Sequence, residues 1–123
     1  MINWTAFAAG IVAAFLLGWL VYGPALGLQR RWAEGTRIDP NPPAKMPLGP
    51  MAMQLAALAL LAAIIAVTET TQSLGIALLG VGLFVMQAAS IGAWAQKSRF
   101  AIGVDAGYAL ACGLVMILAH AIL

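Results

Sequence analysis

The chain has 123 residues, 63% of them hydrophobic and only 8% charged, with a formal net charge of +2 and a mean hydropathy of +0.98. A soluble domain is about half apolar and about a quarter charged, so a soluble globular fold is excluded. The charged residues leave uncharged runs over residues 1–29, 46–68 and 70–96, and a last run from Phe100 that is broken by Asp105 alone.

A helix crosses a bilayer in about 20 apolar residues at about 1.5 Å rise per residue, so each run is long enough to span. The expected fold is therefore all-α, a polytopic four-transmembrane-helix bundle. Spans are predicted over residues 4–24, 49–67, 74–94 and 100–122, and residues 1–123 form a single membrane domain with no appended enzyme. The first run has no basic residue before it, unlike a cleavable signal peptide. It ends at Tyr22-Gly23-Pro24, where glycine and proline loosen the helix. Residues 29–47 are rich in proline and charge and read as the one substantial loop, cytoplasmic and basic. Short polar turns at residues 68–73 and 95–99 make the last three spans antiparallel neighbours. The lone cysteine, Cys112, forbids an intrachain disulfide.

All six basic residues fall on one side of this topology: Arg30, Arg31, Arg37 and Lys45 in the first loop, Lys97 and Arg99 in the third. The positive-inside rule then places both termini on the non-cytoplasmic side. The same six residues are expected to meet anionic lipid headgroups, with Trp32 lying along them. Glu34 and Asp39 dilute the basic loop and it holds one aromatic, so nucleic acid is not an expected partner.

Three sequence elements carry a family resemblance: the opening Asn3-Trp4, the stretch Gly18-Trp19-Leu20-Val21-Tyr22-Gly23-Pro24, and Asp105-Ala106-Gly107-Tyr108 after a basic turn. Together they resemble a bacterial membrane family known as domain of unknown function 1761, over nearly the whole chain. Members usually carry Trp-Tyr-Gly-Pro; here Leu20 and Val21 separate Trp19 from Tyr22. The resemblance implies a four-span protein of the bacterial inner membrane and implies no activity.

Helices associate in lipid through close packing of small residues. Ala6, Gly10, Ala14 and Gly18 recur every fourth residue of the first span, and Gly103, Gly107 and Ala111 repeat the device in the fourth. Further small pairs stand at Ala52 and Ala56, Ala59 and Ala63, and Ala88 and Gly92. The stripes serve either packing within the chain or association with copies of itself or with other membrane proteins.

Asp105 is the most pointed residue, because an acid inside a span costs about 2.5–3.5 kcal/mol on insertion scales and persists only when paired, hydrated or protonated. Counted from the basic side, Tyr22, Gln54, Gln87, Asp105 and Tyr108 fall at similar depth, which suggests an intramembrane polar cluster. It is either a proton, cation or small-ligand site, or a structural network in which Tyr and Gln donate to the carboxylate or Asp105 reaches Lys97 or Arg99. His120 lies fifteen residues further on, near the opposite surface with Glu69, and reads as solvated.

No nucleophile, metal-ligand pair or phosphate loop stands at a productive spacing, so neither an enzyme nor a metal or other cofactor is expected. Two functions remain. One is a non-catalytic membrane protein acting through helix contacts, as a homo-oligomer or a small accessory subunit. The other is a small oligomeric transporter or channel with Asp105 as the coupling acid.

Overall fold

The computed structural model describes residues 1–38 and 48–123. Asp39, Lys45 and the four prolines expected in the basic loop lie outside the described residues. Five α-helices follow in order: α1 (Trp4–Tyr22), α2 (Gln29–Thr36), α3 (Leu48–Thr70), α4 (Leu74–Trp94) and α5 (Arg99–Ile122). The described residues contain no strand. Helices α1, α3, α4 and α5 are each long and apolar enough to cross a membrane, with mean hydropathies between 1.9 and 2.3.

Local chemistry sets the helix ends. Asn3 caps α1, its side chain accepting from the Ala6 N–H at 3.0 Å. The helix ends at Gly23, whose N–H donates to Trp19 O at 2.9 Å, and a Cβ there would clash with that oxygen. Pro24 has no N–H to continue the ladder and opens a short 3-10 turn over Pro24–Leu26. Gly27, at φ +70°, then turns the chain in the left-handed region. Ser98 caps α5 through the Ala101 N–H at 3.0 Å.

The structure revises the loop expected at residues 29–47, because its first eight residues form α2. Gln, Arg, Ala and Glu are good helix formers, Arg30 pairs with Glu34 one turn on at 3.5 Å, and Arg37 closes the helix with a positive φ of 67°. Helix α2 is amphipathic and lies across one end of the bundle, with Ala33 buried against it. It is fastened to the start of α5 by the Ser98 N–H on Gly35 O at 3.0 Å, by Arg37 donating to Ala95 O, and by the Arg31 guanidinium 4.1 Å above the Phe100 ring.

Helix α5 is the centre of the bundle and packs against all four others. The stripe Ala6, Gly10, Ala14 is buried, and a Cβ on Gly10 would come within 3.1 Å of Met116 on α5. This stripe is therefore used inside the chain. Gly103 and Gly107, by contrast, are exposed, a Cβ on either would meet nothing within 4 Å, and Ala111 is half-buried. Two glycines bring α4 onto α5: Gly113 of α5, where a Cβ would lie 2.5 Å from Val81, and Gly92 of α4, where it would lie 3.0 Å from Ile102. The core consists of Leu58, Leu61, Ala62 and Ile65 of α3 with Ala14, Ala77, Val81, Cys112 and Met116.

All the buried residues of α3 lie from Leu58 onward. Its first ten residues, including Ala52 and Ala56, are exposed or half-buried. That end of α3 is less closely covered than the rest of the helix, and the polar residues gather beside it. Outward-facing side chains such as Leu60, Leu79, Leu83 and Met86 are large and apolar, a surface suited to hydrocarbon.

Candidate functional site

Asp105 sits on the second turn of α5, at the end where α1 finishes and α3 begins. Three donors from three separate parts of the chain converge on its carboxylate. Tyr22 at the end of α1 donates its hydroxyl to Oδ1 at 2.6 Å, and Trp32 of α2 donates its indole N–H to the same oxygen at 2.9 Å. Lys97, in the α4–α5 turn, places its ammonium 2.8 Å from Oδ2. The Asp105 and Lys97 side chains are only 14% and 19% exposed. A charged residue in apolar surroundings is retained when it is paired and hydrogen-bonded, and this carboxylate is both.

One turn further along α5, Tyr108 donates its hydroxyl to Ala14 O at 3.0 Å and accepts from the Gln54 amide at 3.3 Å. Gly18 makes room for it: a Cβ there would lie 3.1 Å from the Tyr108 oxygen. The rings form an edge-to-face trio, with Tyr22 centred 4.7 Å from Trp32 and 5.3 Å from Tyr108.

These groups form the polar head of a cavity of about 590 Å³ between α1, α3, α4 and α5, with α2 across one end. The rest of its wall is apolar: Phe15, Trp19, Met51, Phe84, Ala88 and Ile91. Ligand sites are commonly of this volume and character, an aromatic and aliphatic wall with a few placed polar groups.

Of the five residues expected to cluster, the structure brings together Tyr22, Gln54, Asp105 and Tyr108. Gln87 is not among them; it is exposed. The inward face of α4 carries Ala77, Val81 and Gly92, and at about 100° per residue Gln87 falls about 120° away from that line. Depth along a helix does not fix the azimuth around it.

Two of the residues expected at the headgroups belong to the site. Trp32 turns its indole onto Asp105 instead of lying along the headgroups, and Lys97 takes the other carboxylate oxygen, one of the two cations named for that role. Trp32 and Ala33 are the apolar side of an otherwise polar helix, which is the sequence signal for its inward face. Arg30, Arg31, Arg37 and Arg99 are exposed at the same end of the molecule.

At the other end, His120 is bonded through its ring nitrogen to Glu69, so the two helices α3 and α5 are tied there. The expectation of a solvated histidine is corrected, since its side chain is only 6% exposed. A second cavity of about 310 Å³ adjoins this pair, bounded by Thr68, Gln72 and Ser73.

Fold and site together define a small protein whose described residues form an all-helical bundle with four long apolar helices and a polar-headed aromatic cavity at one end. The chain belongs to the family described as protein of unknown function (DUF1761), whose model matches residues 5–121. No curated protein and no solved structure matches it.

Proposed function

We propose that the protein is a non-catalytic, four-span membrane protein that holds a small molecule in the Asp105 cavity. The observation that carries this reading is the cavity itself: an open cleft of about 590 Å³ between the helices of a chain of 123 residues, with a prepaired polar head and aromatic walls. Asp105 already accepts from three donors, which favours a carboxylate that holds α1, α2 and the α4–α5 turn in place over one that exchanges protons or cations during transport. In this reading the cavity faces the cytoplasmic half of a bacterial inner membrane, because the cavity and every described basic residue lie at one end and basic residues stay inside.

The test is to purify the protein in a mild detergent, release bound small molecules with organic solvent and weigh them by mass spectrometry. Wild type is expected to retain a small molecule at a near-equimolar amount. Ala88→Trp, whose indole would fill the cavity from α4, is expected to lose it. An empty wild type, or equal retention by the variant, would overturn the proposal.

A second reading has its own observation. Gly103, Gly107 and Ala111 form a small-residue face on α5 that no other part of the described chain covers closely, which supports contact with a second copy or with another membrane protein.

A further inference from the structure

We infer that the ligand of the Asp105 cavity is a neutral, flat, carbonyl-bearing amphipath of the quinone type, its ring between the aromatic walls and its tail in the surrounding hydrocarbon. This rests on the cavity being a ligand site and names the class of molecule that the site would take.

Charge comes first. The polar head contains one carboxylate and one ammonium 2.8 Å apart, so it has no net charge to offer. A cationic ligand would have to displace Lys97 and an anionic one would have to displace Asp105, each leaving a buried charge without its partner. A neutral ligand avoids both costs.

Hydrogen-bonding capacity comes second. The carboxylate is taken up by Tyr22, Trp32 and Lys97, and the Tyr22 and Tyr108 hydroxyl protons are spent on Asp105 and on Ala14 O. What the cavity still offers is mainly donors: the ammonium of Lys97 has three N–H groups and the amide of Gln54 has two, and each residue spends one on the bonds described. Three further N–H groups, two on Lys97 and one on Gln54, stand beside one amide oxygen, that of Gln54, so the balance favours a ligand that presents oxygen acceptors, and carbonyl groups are the neutral form of these.

Shape comes third. Both tyrosines of the chain, two of its four tryptophans and two of its four phenylalanines line this one cavity. Aromatic faces reward a planar ring by offset stacking. Two residues of the wall, Trp19 and Ile91, are also 63% and 58% exposed on the outer surface of their helices. The mouth is therefore rimmed by side chains that face hydrocarbon, which lets an apolar tail leave the cavity without crossing a polar surface.

The experiment is a fluorescence titration of the full-length protein in lipid nanodiscs with decylubiquinone, a short-tailed quinone that quenches tryptophan. Trp19 and Trp32 line the cavity, so saturable quenching is expected and should survive in a Trp4→Phe, Trp94→Phe background. Gln54→Leu, which removes a donor and leaves the Asp105 pairing untouched, is expected to weaken half-saturation about tenfold, the scale of one hydrogen bond. Ala88→Trp is expected to abolish the saturable phase, while tetraphenylphosphonium and palmitate, a cation and an anion of similar apolar character, should not compete.

Saturable binding of either charged probe without binding of the quinone would overturn the ligand class and leave the cavity reading standing. Quenching that is non-saturable and equal in wild type and Ala88→Trp would reflect partition into lipid and would also overturn the class. If no probe binds and no molecule co-purifies, both readings fall.

Discussion

Asp105 of α5 and Lys97 of the preceding turn show how one ion pair at the end of an apolar bundle is maintained. Each is largely shielded, and removing one partner of such a pair leaves the other charge uncompensated, at about 3–5 kcal/mol. Lys97→Met and Asp105→Asn are therefore each expected to lower thermal stability in detergent, and the double variant to lose less than the sum of the two. A double-mutant cycle on melting temperature measures this coupling, and strict additivity would show that the pair contributes nothing to the fold. Asp105 was legible in the sequence because a charge within a 24-residue apolar run stands out against its neighbours. Its partners were less legible. Tyr22 and Trp32 lie 83 and 73 positions away in the chain, and only the return of the chain at Gly27 brings Trp32 back over the helix ends.

The small residues of the helices divide by what they face. Gly10 and Gly18 admit Met116 and the Tyr108 hydroxyl, and Gly113 admits Val81, whereas Gly103 and Gly107 face open space. Gly113→Leu is expected to force α4 from α5 and to destabilise the protein by about 1–3 kcal/mol or more, as overpacking of a close contact does, with partial recovery when Val81→Ala is added. Gly107→Leu is expected to leave the melting temperature of the monomer unchanged and to lower the mass of any self-assembly seen by native mass spectrometry. A large loss of monomer stability in Gly107→Leu would mean that this face is packed within the chain. The spacing of four was visible in both α1 and α5. Gly113 stands outside the Gly103, Gly107 and Ala111 stripe of α5, because its need arises from the approach of another helix and not from any repeat along its own.

For the molecule as a whole, the asymmetry is between a tight end and an open one. Leu58, Leu61 and Ile65 fix α3 to the bundle beside the His120–Glu69 tie, while none of its first ten residues is buried and three of them, Pro50, Met51 and Gln54, line the cavity under α2. In the proposed orientation, which follows the basic residues, the open end faces the cytoplasm. In a Cys112→Ala background, Ala95→Cys is expected to react with an impermeant maleimide only in inverted membrane vesicles, and Ser73→Cys only in right-side-out ones. The reverse pattern would place the cavity on the outer side.

The number and length of the apolar helices were readable from the chain alone, because apolar run length is a one-dimensional property matched against the thickness of a bilayer. Depth along each helix is one-dimensional too, and it pointed to Tyr22, Gln54, Gln87, Asp105 and Tyr108, of which the structure brings together all but Gln87. Azimuth was not readable: these helices are apolar nearly all round, so their own pattern does not say which side turns inward. Packing against α5 made that choice, leaving Gln87 outside and drawing Trp32 and Lys97 onto the carboxylate. The cavity likewise lies between helices, lined by residues of α1, α2, α3, α4 and α5, a relation that no single segment of the chain encodes.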